Sequence, residues 1–312
     1  MAEHVNVDNF ARAETNRMFA ALAAQAGGTG RWVHNRVPTP LENQPVIRQN
    51  RDTLYSMAVL DVSNGASVTI PDAGDRYQSV MVVNQDHYIP IVLREPGEHR
   101  LHSDDLGTQW VVVVPRLLVD PDDEADVAAV NALQDAFVLD APEGGPFPMP
   151  EYDDASFTAT RNALLALARG VSGFARSFGR PDEVDPVHHL LGTAAGWGGL
   201  PSSEAFYVNV EPKLPVGAYT LTVRDVPVDA FWSITVYNAD GYMEQTDGLV
   251  SVNSVTAARD DDGSTTVTFG GPDDGRPNRI GIMDGWNYIV RLYRPHPAVV
   301  DGTWRFPELR PA

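Results

Sequence analysis

The stretch RQNRDTLY, at positions 48–55, concentrates side chains that can do chemistry. Arg48 and Arg51 could hold a carboxylate or a phosphate, because a planar guanidinium donates two parallel hydrogen bonds. Asp52 could transfer a proton, and Tyr55 could bind a ligand through its ring and hydroxyl. We therefore expect Asp52 and Arg51 to be catalytic and Arg48 and Tyr55 to contact the substrate. The alternative is a salt bridge between Asp52 and an arginine that anchors this segment to a β-sandwich.

His87 lies near the end of RYQSVMVVNQDHY, a run typical of a buried strand followed by a polar turn. Histidine titrates near neutral pH, so His87 could be a catalytic general base. That role needs a substrate within hydrogen-bond reach and a carboxylate that orients the ring. The alternative is a histidine exposed in a surface turn.

Other histidines occur in pairs that could be considered as metal ligands. His99 and His102 lie beside acidic residues, and His188 directly precedes His189. The first spacing resembles that of metal ligands, whereas adjacent residues on a helix diverge by about 100° and rarely chelate one ion. The chain has no cysteine, which excludes thiolate ligands. We expect no metal and no other cofactor.

The glycine-rich segment LGTAAGWGGLP, at 191–201, indicates tight backbone turns around Trp197. It lies between a helical region and a run of strands, shortly before Tyr207. Ligand pockets favour such domain junctions, so we expect Trp197 and Tyr207 to contact the substrate. The alternative is a buried hinge in which the indole fills an interface.

The strand and turn around His87 are repeated 154 positions later as FWSITVYNADGY. Seven positions hold identical or similar residues in both copies: Asp75/Asp229, Tyr77/Phe231, Ser79/Ser233, Val82/Val236, Asn84/Asn238, Asp86/Asp240 and Tyr88/Tyr242. A second alignment pairs GTQWVVVVPR with GWNYIVRLYR and so places Arg116 opposite Arg294. The repeat indicates two related β domains.

The repeat also separates structural residues from candidate site residues. Shared polar residues are explained by the fold, so we predict that Asn84, Asn238 and the aspartates two positions later bond the turn backbone. Polar residues that differ between copies are better site candidates. His87 stands where the second copy has glycine, and Tyr237 replaces a valine, so Tyr237 is a predicted ligand contact.

Short β-branched and aromatic runs, with no helix between successive ones, predict a mainly β fold of antiparallel sandwiches. Helices are expected near 9–25, from Asp120 with Pro121 in the first turn, and near 154–169. RDDDGS at 259–264 predicts a hairpin turn. The expected organisation is an N-terminal helix (1–30), a first sandwich (31–120), a helical insertion with the glycine-rich hinge (121–200) and a second sandwich (201–312).

Five motifs resemble a bacterial family that links two domains of unknown function, numbered 1254 (N-terminal) and 1214 (C-terminal). They are VIRQNRDTLYSMAVLDVS, IPDAGDRYQSV, LGTAAGWGGLPSSEAFY, LTVRDVPVDAFWSITVYNADGYME and WNYIVRLYRPHPAVVDGTWRFPEL. The resemblance implies an immunoglobulin-like sandwich, a helical insertion and a jelly-roll-like sandwich. It implies almost nothing about function.

Composition excludes several partners of the 312-residue chain. A formal net charge of -19 would repel nucleic-acid phosphates and anionic membranes. The sequence has no run of about 18 apolar residues and no signal peptide, so we expect a soluble, cytoplasmic protein. The sequence leaves a homo-oligomer open.

Two functions from different classes remain. The first is an enzyme of hydrolase or lyase type that acts on a small organic molecule bound between the two sandwiches and the helical insertion. The second is a non-catalytic protein that binds a small molecule or a carbohydrate. No nucleotide-binding loop, nucleophile elbow or zinc-protease motif is present to narrow the choice.

Overall fold

β-strands form most of the regular structure in the computed structural model, which describes residues 2–44, 47–171 and 173–312. The chain divides into two compact units. Unit 1 consists of Met1–Arg36, Leu54–Leu118 and Glu124–Ser202. Unit 2 consists of Val37–Thr53, Val119–Asp123 and Ser203–Ala312. Each unit therefore contains one copy of the repeated strand.

Helices of the described residues lie mainly in unit 1. They are α1 (Phe10–Ala26), α2 (Ser103–Leu106), α3 (Glu124–Asp135), α4 (Asp154–Ala168), α5 (Pro186–Gly196) and α6 (Pro297–Val300). Helix α1 ends at Gly27, whose φ of 75° is the left-handed conformation that glycine adopts without strain. No helix of the described ranges is long and apolar enough to cross a membrane.

Unit 1 has two antiparallel sheets. Their strands are β1 (Val33–His34), β2 (Thr53–Asp61), β3 (Ala66–Ile70), β4 (Gln78–Asn84), β5 (Ile91–Leu93), β6 (Gly97–Leu101), β7 (Trp110–Leu118) and β8 (Val138–Asp140). The larger sheet has the order β1-β2-β7-β4-β5 and the smaller one β6-β3-β8. Strand β4 is buried along its whole length, because it lies inside the larger sheet.

Unit 2 has two four-stranded sheets that share one hydrophobic core. Their strands are β9 (Ala205–Val210), β10 (Ala218–Val223), β11 (Trp232–Tyr237), β12 (Ser251–Asn253), β13 (Thr265–Gly270), β14 (Arg279–Ile280), β15 (Asn287–Tyr293) and β16 (Arg310–Pro311). The orders are β14-β13-β10-β16 and β12-β11-β15-β9. Leu221, Phe269, Ile234 and Val290 come from both sheets and lie in the same core. The predicted mainly β fold with antiparallel sheets is confirmed.

Strand register corrects the alignment of the two copies. In unit 1 Ser79 of β4 pairs with Arg116 of β7, and in unit 2 Ser233 of β11 pairs with Arg291 of β15. The counterpart of Arg116 is therefore Arg291, three residues before the Arg294 that letter matching selected. Matching failed because Arg291 lies in β15 and a second arginine, Arg294, directly follows the strand, so only hydrogen-bond register identifies the counterpart.

The repeated turn has the same geometry in both copies. Oδ1 of Asn84 accepts the backbone N–H groups of residues 86 and 88, and Oδ1 of Asn238 accepts those of residues 240 and 242, all at 2.9–3.0 Å. The predicted role of the two asparagines is confirmed. Asp86 differs from its prediction, because its carboxylate forms an ion pair with Arg12 instead of bonding the turn.

Three local predictions are corrected by the structure. Helix α3 begins at Glu124 instead of following Asp120, whose side chain accepts the N–H of Asp122 in a turn of its own. RDDDGS does form a turn, but β12 and β13 on either side belong to different sheets, so it closes no hairpin. Gly192, which was expected to lie in a tight turn, lies within helix α5 instead. An added Cβ at this position would come within 2.7 Å of Ser177.

The turn geometry predicts how each asparagine contributes to stability. Asn84→Ala and Asn238→Ala should each lower the free energy of unfolding by about 1–2 kcal/mol, because each removes two hydrogen bonds to backbone N–H groups. Chemical denaturation of the purified variants measures the change. Asn209→Ala, at an exposed position of β9, should change it by less than about 0.5 kcal/mol. Equal losses in all three variants would contradict the assigned role.

Candidate functional site

One face of the β12-β11-β15-β9 sheet is polar and buried. Residues alternate along β11, so Trp232, Ile234 and Val236 enter the sandwich core while Ser233, Thr235 and Tyr237 point to the other face. The other face also presents two residues of β15, Arg291 and Tyr293. All five of these polar-face residues are buried. A buried polar face of this kind requires polar partners from another segment of unit 2.

Asp52 supplies one of those partners. Its side chain is 1% exposed, and its Oδ2 accepts hydrogen bonds from the hydroxyls of Ser233 (2.5 Å) and Tyr293 (3.3 Å). Burial raises the pKa of the Asp52 carboxyl more than the nearby Arg291 guanidinium and these two hydroxyls lower it. The buried environment therefore holds the proton of Asp52 more tightly than water does.

The two oxygens of Asp52 have different roles. Both donors converge on Oδ2, so a proton on this carboxyl would occupy Oδ1. It would then lie outside the hydrogen bonds from Ser233 and Tyr293.

Asn50 fixes the position of this carboxyl from two directions. Its Oδ1 accepts the backbone N–H groups of Asp52 and Thr53, which sets the local turn. Its Nδ2 donates to the Tyr293 hydroxyl at 2.8 Å, which leaves that hydroxyl free to donate to Asp52. The amide therefore orients both the acid and one of its donors.

Arg291 lies beside the acid without bonding to it. Its guanidinium donates to Thr235 Oγ1 (2.9 Å), the Tyr237 hydroxyl (2.7 Å) and the carbonyl oxygens of residues 48 and 49. Burial alone would lower the pKa of Arg291, but the phenols of Tyr237 and Tyr293 and the Asp52 carboxyl raise it above its usual value. Arg291 therefore stays charged in a dry environment.

The other predicted site residues of unit 2 lie in different surroundings. Arg51 donates to the carbonyl oxygen of Thr39 and pairs with Asp122 at 3.5 Å, so the expected salt bridge to Asp52 does not form. Arg48 has a left-handed φ of 57° and its carbonyl oxygen accepts from Arg291. Tyr207 is 39% exposed on β9, paired in register with Arg291.

Three buried polar atoms without partners belong to the same short segment as Asp52. Within the described residues, Arg48 Nη1, Gln49 Oε1 and Thr53 Oγ1 are buried and have no hydrogen-bond partner. Native proteins leave few such atoms, and each calls for an explanation such as a bound water or ligand. Their clustering within six residues makes the 48–53 segment the best candidate site in unit 2.

The predicted residues of unit 1 form an aromatic stack. His87 is fully buried, and its ring lies between Trp197 (5.4 Å between centroids) and His189 (5.5 Å). Tyr88 stacks on the other face of His189 at 4.6 Å. The exposed-turn alternative for His87 is therefore wrong, because helix α5 and the following glycine-rich segment cover the turn. His87 also adopts φ 64°, where the second copy has glycine at φ 90°.

Hydrogen bonds occupy both ring nitrogens of His87. Nε2 accepts the backbone N–H of Gly198 at 2.9 Å, so Nδ1 carries the hydrogen and donates to Thr193 Oγ1 at 2.7 Å. Burial, and then the charge of His189, lower the pKa of His87 well below its ordinary value. No carboxylate bonds to the ring, so the arrangement holds a neutral imidazole in place and offers no base to a substrate.

Tyr55 is the remaining predicted site residue of unit 1. Its ring lies 5.2 Å from the guanidinium carbon of Arg116, and Arg116 donates to the carbonyl oxygen of Gly198 at 2.9 Å. Gly198 also bonds His87, so Tyr55, Arg116 and His87 are linked through this one glycine.

Metal ligation has no support within the ranges that the structure covers, where no three histidine or carboxylate groups come together.

A cavity of about 260 Å³ in unit 2 is lined by Arg224, Trp232 and Arg259 among others and contains none of the predicted site residues.

Sequence reasoning missed Ser233, Arg291 and Tyr293. Ser233 was assigned to the fold because both copies share it, and Arg291 was lost to the three-residue misalignment. The signal that could have found Arg291 is its place in YIVRLY, where a charge interrupts an otherwise apolar strand.

Comparison with known proteins confirms the family resemblance. Residues 29–89 match the family described as "Protein of unknown function (DUF1254)", and residues 214–297 match "Protein of unknown function (DUF1214)". No curated protein matches the chain. The fold is similar to that of the VPA0106 protein from Vibrio parahaemolyticus (TM-score 0.75, 18% identity, 97% of each chain). It is also similar to a putative uncharacterized protein from Burkholderia cenocepacia (TM-score 0.54, 15% identity, 97% of this chain and 86% of that one).

The acid in unit 2 should give stability a distinctive pH dependence. The folded state holds the Asp52 proton more tightly than the unfolded chain, so this carboxyl lowers stability as the pH rises above 3.8. Asp52→Asn removes that loss and keeps an acceptor for Ser233. The melting temperature of the variant, minus that of wild type, should therefore increase from pH 4 to pH 8. A difference that falls over this range would mean that Asp52 is ionised and pairs with Arg291.

His87 should give the stability of the protein the opposite pH dependence. Its pKa is lowered in the folded state, so the unfolded chain takes up a proton first and stability is lost as the pH falls below about 6.5. Relative to His87→Asn, which tolerates left-handed φ, wild type should lose up to about 1.4 kcal/mol per pH unit. Denaturation between pH 7 and 5 measures this, with exposed His4→Asn as the control. A difference independent of pH would disprove the burial of a neutral ring.

Proposed function

We propose that this chain, which joins a DUF1254 domain to a DUF1214 domain, is an acid-catalysing enzyme of hydrolase or lyase type that acts on a small organic molecule. The observation that carries the proposal is the buried carboxyl of Asp52, whose Oδ2 accepts from the hydroxyls of Ser233 and Tyr293 and whose pKa is raised by burial. A general acid needs this arrangement, in which the carboxyl is kept neutral by burial and its free hydroxyl can reach a substrate oxygen.

The groups around Asp52 can stabilise the negative charge that proton transfer creates on its carboxyl. When Asp52 gives up its proton, the new carboxylate is stabilised by the hydroxyls of Ser233 and Tyr293 and by the charge of Arg291. These donors are fixed in advance by the sheet and by Asn50, so little reorganisation is needed at the moment of transfer. The favoured reaction is the cleavage of a carbon–oxygen bond.

In hydrolysis the proton balance closes on Asp52 itself. The acid protonates the leaving oxygen as the carbon–oxygen bond breaks, and a water molecule adds to the carbon. The water then returns one proton to the carboxylate, which restores the neutral acid. Buried polar atoms of Arg48, Gln49 and Thr53 lie in the same segment and can bind the substrate. The product of this reaction is an alcohol or an acid with a free hydroxyl.

A panel of small esters, lactones and β-hydroxy carbonyl compounds tests the proposal, with product formation followed by mass spectrometry. Asp52→Asn should lower turnover of a substrate by about 10²–10⁴-fold, the usual contribution of a general acid. The same variant should still be stabilised by that substrate in a thermal shift assay. Asp240→Asn, on an exposed turn of unit 2, should keep wild-type turnover.

The second candidate function, binding without catalysis, uses the same atoms. The unpartnered polar atoms of residues 48–53 suit recognition as well as chemistry. A compound that stabilises wild type and is never converted, even at high enzyme concentration, would favour binding. Turnover that Asp52→Asn leaves unchanged would instead remove Asp52 from the mechanism.

A further inference from the structure

Arg116 is a second buried arginine, and the proposed acid chemistry does not use it. It lies on β7 in the interior of the five-stranded sheet of unit 1, between β2 and β4, and is 6% exposed. Its register partner is Ser79, as Ser233 is the partner of Arg291. The two copies of the repeat have therefore placed a guanidinium at the same point of the sheet.

The partners of Arg116 do not balance its charge. Nη2 donates to the carbonyl oxygen of Gly198 at 2.9 Å, Nη1 approaches the sulfur of Met81 at 3.7 Å, and the guanidinium lies over the ring of Tyr55. In the described parts of the chain, no carboxylate lies within 4.0 Å of its nitrogens. A guanidinium has five N–H donors, and here a single oxygen accepts from it.

The second copy shows what is missing from the first. Arg291 donates to two side-chain hydroxyls, those of Thr235 and Tyr237, and has the Asp52 carboxyl nearby. At the positions that correspond by register, unit 1 has Met81 and Val83, which accept no strong hydrogen bond. The first copy therefore has the buried cation without these two hydroxyls.

A buried cation without such groups is costly, and an anion that enters the site removes the cost. We propose that Arg116 binds the carboxylate of a small organic acid, with two parallel hydrogen bonds from its guanidinium. The apolar neighbours Met81 and Tyr55 fit the hydrocarbon or aromatic body of such an acid. A doubly charged phosphate fits less well, because one guanidinium cannot neutralise it and the chain as a whole is strongly acidic. The site is independent of Asp52.

Thermal melting with sodium benzoate, acetate, phosphate or chloride at equal ionic strength and pH 7 tests this site. Benzoate should raise the melting temperature of wild type by about 3 °C above chloride at ten times its dissociation constant. Acetate should have a smaller effect, and phosphate should match chloride. Benzoate and acetate that do no more than chloride, or phosphate that exceeds both, would overturn the proposal.

Variants of Arg116 separate binding from a structural role. Arg116→Met should lose the benzoate shift and melt no lower than wild type in chloride, because it removes an unbalanced charge. Arg116→Lys, which keeps the charge without the planar fork, should retain only part of the shift. Arg76→Met, which disrupts an ion pair with Asp126 in the same unit, should keep the full shift. A full shift in both Arg116 variants would disprove the site.

Discussion

A guanidinium buried at the same register of a central sheet, opposite a serine, is the constraint that shapes both units. Burial of a charge costs several kcal/mol unless other groups solvate it. In unit 2 the segment that runs into β2 provides this solvation through the carbonyl oxygens of residues 48 and 49. In unit 1 one carbonyl oxygen, a sulfur and an aromatic ring surround Arg116. The corresponding guanidinium therefore has different surroundings in the two units.

The acid in unit 2 follows from this arrangement. Hydroxyls, carbonyls and a phenol already surround the Arg291 guanidinium. Arg291 therefore does not need an ionised Asp52 to complete its hydrogen bonds. Burial raises the pKa of the Asp52 carboxyl, and two hydroxyl donors converge on one of its oxygens. The proposed acid catalysis depends on this packing. In unit 1 the turn after β4 holds a neutral histidine with both nitrogens occupied, which suits a structural role.

Much of the fold could be predicted from periodicity and turn chemistry. The strands from β3 to β15 that carry β-branched runs, helix α4 and the Asn84 and Asn238 turns depend on local sequence, and they form as expected. Which strands pair, and in which register, could not be predicted in the same way. The hairpin at RDDDGS was wrong because strand pairing is set by the whole sandwich, and Arg291 was missed because register is not visible in letters. Asp52 was selected as a candidate through its chemistry and Tyr237 through its difference between the copies, whereas the contacts of Ser233 and Tyr293 with Asp52 depend on strand positions that the sequence does not reveal.

The protonation state of Asp52 is the property on which the functional account depends. Carbon-13 NMR of protein labelled at the aspartate Cγ measures it directly, and the Asp52→Asn spectrum assigns the resonance. The account predicts that the Asp52 carboxyl keeps the chemical shift of a protonated acid as the pH rises past 3.8, where exposed aspartates ionise. A resonance that already has the shift of a carboxylate at pH 4 would contradict it, because Asp52 would then be the counter-ion of Arg291 and could not donate a proton.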